Sequence, residues 1–240
     1  SRRRWLVGLC LFLLALSAGG RAQGPAVPSL LGAPSPGAQV PQVVTERVDT
    51  LQARPVSVNT GALAADVIDI ELTSGRVVRA RVERRETHRD GAETWAGSIL
   101  GEPLSSVTLV SGDGVLQGAV RTLDGAFSIE PADGGPLHVV RLVDANATGT
   151  ELEPLLPPVA APPVGADEPP VAGDDGSTID VLVFYTPSAR TAAGSDAAAQ
   201  TRIALGVSET NTAYANSGIA PRLRLVGAEL PSYTESGSLS

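Results

Sequence analysis

The 240-residue chain has no lysine and no methionine, a single cysteine, two histidines and only 3% aromatic residues. Each scarcity removes a class of chemistry. One cysteine cannot form an intramolecular disulfide or a cysteine-rich zinc cluster, and Cys10 lies in an amino-terminal apolar run expected to be cleaved away. Neither His88 nor His138 has another histidine or cysteine at ligand spacing, so both are expected to be ordinary surface or strand-edge residues. No Gly-x-Ser-x-Gly elbow is present, and the glycine-rich run at 112–116 opens a strand rather than the helix a phosphate loop requires. The formal charge of −8, with no basic patch beyond the amino-terminal arginines, argues against nucleic acid as a partner. With all eighteen basic residues arginine, and alanine, glycine and proline abundant, the coding bias is that of a GC-rich bacterial gene.

What is present begins with Arg2, Arg3 and Arg4, followed by an apolar run from Trp5 to Leu16. That run is shorter than the roughly 20 residues a membrane-spanning helix needs, and small residues lead from it to Ala22. A signal peptide over 1–22, cut after Ala22, is expected. The mature chain would then be exported, extracellular or periplasmic, with no stable membrane association. Without a methionine, Ser1 is not expected to be the translated start.

Composition divides the remainder. Residues 23–42 are rich in proline, glycine and alanine and read as a flexible leader. Residues 43–145 read as a β-rich module, with strand-like runs at 67–72, 77–84, 94–100, 106–110, 115–121, 126–130 and 137–143. Between them, Ser74-Gly75, Asp90-Gly91, Gly112-Asp-Gly114, Asp124-Gly125 and Asp133-Gly-Gly135 supply hairpin turns, which implies an antiparallel meander. Arginines at 76–89 alternate with apolar and acidic residues, as on a solvated strand face. Residues 146–177 form a proline-rich acidic linker, in which Asp167, Glu168, Asp174 and Asp175 read as solvated charge.

From 178 to 240 the pattern changes. Residues 179–185 are almost continuously apolar, like a strand buried on both faces. Residues 196–217 suit a helix with Ile203, Val207 and Tyr214 on one face, capped by Ser195 or Asp196 and ended by Gly218, although Gly206 weakens its centre. A strand over 222–226 follows, and a strand–helix–strand crossover makes a parallel pair. The fold class is therefore α+β overall, an antiparallel β-rich module followed by the start of an α/β unit.

Four segments in order, Ile179-Asp-Val-Leu-Val-Phe-Tyr-Thr-Pro187, Asn211-Thr-Ala-Tyr-Ala-Asn-Ser-Gly-Ile219, Arg222-Leu-Arg-Leu-Val-Gly227 and Tyr233-Thr-Glu-Ser-Gly237, resemble the opening of secreted bacterial zinc metallopeptidases of the metzincin clan. The nearest groups are the reprolysin-like and peptidyl-Asp metallopeptidases. The β-rich module is similar to their propeptide at Thr94-Trp-Ala-Gly-Ser98, Ser105-Ser-Val-Thr-Leu109, Gly114-Val-Leu-Gln-Gly118 and Phe127-Ser-Ile-Glu-Pro131. The resemblance implies a zymogen whose full-length form binds zinc through His-Glu-x-x-His and a third histidine and hydrolyses protein or peptide substrates with metal-activated water.

No histidine follows His138, so the resemblance assigns no catalytic and no metal-binding residue to these 240 residues, and this chain is expected to be inactive as given. It also lacks the propeptide cysteine that silences zinc in some relatives, which leaves steric cover or a linker carboxylate as the means of latency. Processing is expected within 146–177, where Asp167, Asp174 and Asp175 would offer self-cleavage sites to an enzyme of peptidyl-Asp preference. Two rival readings are a non-catalytic secreted binding or adhesion module and a propeptide-type protease inhibitor. No feature specifies an oligomeric state.

Overall fold

The computed structural model describes residues 26–132, 136–147 and 177–232. The expected signal peptide, most of the expected linker, and Asp167, Asp174 and Asp175 lie outside them. Eight strands build the first unit: β2 (Thr50–Val58), β3 (Val67–Thr73), β4 (Arg76–Thr87), β5 (Glu93–Ile99), β6 (Ser106–Gly112), β7 (Val115–Thr122), β8 (Gly125–Pro131) and β9 (His138–Val143). From β3 to β9 each strand pairs antiparallel with the next, and β9 pairs with β2. The turns carry the glycines that hairpins require: Gly75, Gly91, Gly114 and Gly125 all have positive φ.

An open sheet of this order would leave β2 and β3 as unpaired edges. The segment around β1 (Leu31–Gly32) fills that gap. β1 pairs antiparallel with β2, while Ser29 bridges Asp69 of β3 in parallel, with Leu30 N–H donating to the Asp69 carbonyl at 2.9 Å and Asp69 N–H to Pro28 at 2.9 Å. Further along the seam the Arg54 guanidinium donates to the carbonyls of Glu71 and Leu72, tying β2 to β3 directly. The sheet is thus a nearly closed antiparallel barrel.

The flexible leader expected over 23–42 does not hold at Leu30 and Leu31. Leu30 and Leu31 are buried, because two strand edges and an apolar interior both lack partners without them. The barrel interior is filled by side chains, among them Ile68, Ile70, Trp95, Leu109, Leu116 and Ile129. A 3₁₀ turn at Thr60–Ala64 buries Leu63 against this core, and Trp95 Nε1 donates to the Ala65 carbonyl at 3.3 Å. On the outside, α1 (Gln42–Thr45) buries Val44.

The second unit is β10 (Thr178–Phe184), α2 (Pro187–Ala193), α3 (Asp196–Asn216) and β11 (Arg222–Glu229). β10 and β11 run parallel, as a crossover connection demands, with a register shift between Val181 and Leu182. The helix α2 was not foreseen. Thr186 Oγ1 caps it by accepting from Ala189 N–H, Pro187 occupies its first turn, and Gly194 at φ +94° ends it. Ser195 then caps α3 through Ala198 N–H at 3.0 Å. α3 continues unbroken through Gly206, which faces open space.

Residues 179–185 were expected to be buried on both faces. They are covered on one face only: Leu182 and Phe184 are 48% and 58% exposed, because the helices lie on the opposite side. Among the described residues, no helix is long and apolar enough to cross a membrane.

Candidate functional site

Strands β5, β6 and β7 have two buried faces. Inward-pointing Trp95, Val107, Leu109, Leu116 and Val120 belong to the barrel core, while Thr94, Thr108, Val110 and Gln117 on the alternate positions are also buried. What covers that outer face is α3. It buries Ala198, Ala199, Thr201, Ala204, Val207, Ser208 and Asn211, a largely small-residue stripe at helical spacing. Small side chains let the helix lie close to the turns of the barrel. A Cβ at Gly112 would sit 3.2 Å from Ala92 Cβ and 3.3 Å from Thr201 Cγ2.

The interface has an apolar centre and polar fastenings. Ala92 and Val110 of the barrel join Ala204, Val207 and Leu225 of the second unit in one buried cluster, against which Val183 and Leu223 also pack. Beside it, His88 Nε2 lies 2.7 Å from Thr94 Oγ1, and Thr94 Oγ1 lies 3.1 Å from Ser208 Oγ. Gln117 Nε2 reaches the Ala198 carbonyl at 3.5 Å. At the rim, Arg121 Nη2 pairs with Glu209 Oε1 at 2.9 Å. Behind the helix, the Asn211 side-chain amide donates to the Leu223 carbonyl and accepts from Leu223 N–H, at 2.8 and 2.7 Å.

A hydroxyl beside an imidazole is half of a nucleophile–base pair, and the His88–Thr94–Ser208 chain has that composition. His88, Thr94 and Ser208 are 7%, 2% and 0% exposed, which leaves no path for a substrate. The chain fastens the helix; it does not attack. Of three clefts that flank the interface among the described residues, two are the larger. One, of about 300 Å³, is lined by Arg84, Gly97, Asn211 and Arg222, and the other, of about 510 Å³, by His88, Arg89, Asp180 and Arg224. Their cations are largely committed: Arg84 to Glu86, Arg224 to both oxygens of Asp180, and Arg222 to the Ala220 and Pro221 carbonyls. The hydrogen bond from Arg224 holds the Asp180 carboxyl below its ordinary pKa. Burial raises the Tyr185 phenol, which also donates to Asp196 at 3.0 Å.

Both histidines depart from their expected surface or strand-edge setting. His138 is 1% exposed. Its Nε2 accepts from Leu116 N–H at 3.0 Å, and its Nδ1 lies 3.0 Å from the Pro136 carbonyl. Burial depresses its pKa below 6.5. With both its ring nitrogens engaged, and His88 Nε2 bonded to Thr94, neither is set up as a zinc ligand. Among the described residues no group of three or more histidine, cysteine, aspartate or glutamate side chains is placed to hold a metal. These residues do not fit a zinc site.

Of the helix positions expected to face inward, Val207 is buried, while Ile203 and Tyr214 are only half-buried. The signal for the true face was the recurrence of alanine, threonine and serine at 198, 201, 204 and 208, a pattern of close approach rather than of large apolar anchors.

The family model described as a BamI lipocalin-like domain matches residues 38–136, within the barrel. The peptidyl-Asp metalloendopeptidase of Stenotrophomonas maltophilia strain R551-3 is 28% identical over 211 residues, covering 80% of this chain and 49% of that protein. Its counterpart in strain K279a is 27% identical over 213 residues, with the same two coverages. This chain therefore spans about half the length of these curated relatives. A chain from the solved structure of a chaperone–substrate complex matches 44% of this chain and 88% of its own, at 15% identity and a TM-score of 0.36. The chain is related in sequence to proteins named as metalloendopeptidases.

Proposed function

We propose that this chain is the front part of the precursor of an exported zinc-dependent metalloendopeptidase, in which the barrel is a pro-segment seated on the long helix α3 of the catalytic domain. The observation that carries this reading is the similarity to the two peptidyl-Asp metalloendopeptidases. An alignment covering 80% of the chain cannot be confined to the barrel and must run into the strand–helix–strand unit. The geometry agrees with that division of labour. The barrel interior is filled by side chains, and the outer surface of β5–β7 covers α3. Latency on this reading is steric cover by the barrel.

The zinc ligands and the water-activating base would be supplied by the part of the relatives that this chain does not match. Substrates would be proteins or peptides, with the aspartate preference that the relatives' name states. Zinc content and peptide hydrolysis test the reading, measured on this chain and on a longer one that includes the region matching the rest of the relatives. The longer chain, once freed of the barrel, should hold stoichiometric zinc and cleave peptides lost to a chelator; the 240-residue chain should do neither. A longer chain that folds yet binds no zinc would overturn the proposal.

A further inference from the structure

The cluster between the two units is shared. Ala92 and Val110 come from the barrel, and Ala204, Val207 and Leu225 from the second unit. The other face of the β10–β11 sheet already presents Leu182 and Phe184 to solvent. Lifting the barrel away would therefore uncover the face of α3 turned to it, and would expose Val110 together with the Thr94 and Ser208 hydroxyls that now satisfy each other. The contact has the anatomy of an interface between separate molecules. It has an apolar centre, a desolvated hydrogen-bond chain beside it and an ion pair at the rim.

From this we infer that the outer face of β5–β7 is a binding surface for α3 that holds without the covalent connection. The barrel stays attached to the strand–helix–strand unit after the chain between them is cut. Register on the helix is read by two polar contacts, Thr94 with Ser208 in the centre and Arg121 with Glu209 at the rim. The inference does not rest on the peptidase reading, since it needs neither zinc nor hydrolysis. A barrel that falls away would leave the assignment of zinc chemistry to the unmatched part of the relatives untouched.

The test uses the whole 240-residue chain with a site-specific protease recognition sequence placed within 148–176. After cutting, the two fragments should co-elute on size exclusion at low micromolar concentration. Arg121→Glu should weaken the cut complex about fivefold, the equivalent of about 1 kcal/mol for an exposed pair, and Glu209→Arg in the same chain should restore it. Both side chains lie at the surface rim, so these variants keep the fold. Ser208→Leu, which overpacks the centre and orphans Thr94, should release the fragments. The inference is overturned if the cut wild-type fragments separate at once while circular dichroism shows both still folded. It is equally overturned if the paired charge reversal binds no better than the single one.

Discussion

The side-chain amide of Asn211 makes to Leu223 both hydrogen bonds that a neighbouring strand would make, donating to its carbonyl and accepting from its N–H at 2.8 and 2.7 Å. Asn211 is buried, and removing its amide leaves both backbone groups of Leu223 without these partners. It thereby fixes the end of α3 to the start of β11, at the point where the parallel sheet has only one other strand.

Asn211→Ala should consequently cost about 2–4 kcal/mol, the sum of two orphaned backbone groups rather than of two ordinary hydrogen bonds. Asn211→Asp keeps the acceptor but sets a carboxylate against the Leu223 carbonyl, and should be no better. Denaturant unfolding measures the loss, and amide hydrogen exchange should show it concentrated in 222–226. A loss below about 0.5 kcal/mol would mean that the two bonds carry no load.

Gly97 is required for a different reason. β4 and β5 slip register between Val82 and Arg84, and Gly97 lies opposite that bulge. A Cβ there would collide with the Arg81 carbonyl oxygen and lie 2.8 Å from its carbon. Backbone cannot swing aside as a side chain can, so Gly97→Ala should destabilise the barrel by about 2–4 kcal/mol or prevent its folding. Gly206→Ala is the control. Gly206 sits in a helix interior with nothing within 4 Å, so that substitution should stabilise by about 0.5–1 kcal/mol. Paired thermal melts of the two variants check both signs.

The strands from β3 to β9 were legible because alternation and turn chemistry point the same way. Ile68, Ile70 and Leu72 fall on one face, and Gly75 then reverses the chain. β2 was not legible: it carries Pro55 and Arg54 mid-strand, which obscures the two-residue period, and its place comes from its pairing with β9 and β1 and its Arg54 bonds across the seam. Leu30 and Leu31 sit in a stretch whose proline and glycine content signals disorder, and two apolar residues weigh little until the barrel shows two edges awaiting a strand. The interface was concealed for a related reason. Ala198, Thr201, Ala204 and Ser208 carry little hydropathy, so the face that packs most closely is the one that apolar periodicity scores lowest. His138 follows a glycine turn and looks solvent-facing, yet the β7–β8 ladder stops at Gly118 and leaves the Leu116 N–H for it to satisfy.

His138 should give the barrel a pH dependence of defined sign. Burial holds its folded pKa below the ordinary 6.5, so the unfolded chain binds the extra proton. The barrel's stability is then highest above 6.5 and falls as pH drops through 6.5 towards the depressed value, by about 1.4 kcal/mol for each unit of depression. His138→Gln retains an acceptor for Leu116 N–H but cannot titrate. Urea midpoints measured between about pH 8 and 5 should fall more steeply for the wild type than for the variant. Parallel slopes would remove His138 as the source.

A last relationship sets the cost of disturbing the outside of the barrel. Arg141 of β9 is nearly buried, with Nη1 on Asp49 at 2.8 Å and Nε 3.2 Å from Glu130 of β8, which also takes Arg47 at 2.7 Å. Glu130→Gln removes the anion shared by two guanidiniums. Stripping a buried cation of its only partner costs roughly 3–5 kcal/mol, but Asp49 remains on Arg141 here, so the loss should fall below that range. Replacing Glu130 and Arg141 together by leucine removes the uncompensated charge and should cost less than Glu130→Gln alone, although Arg47 and Asp49 then lose a partner each. Denaturant unfolding of the two variants orders them. If the double replacement is the worse, the pair stabilises the barrel beyond what its own desolvation takes away, and Arg141 must be counted with the core rather than as a tolerated charge.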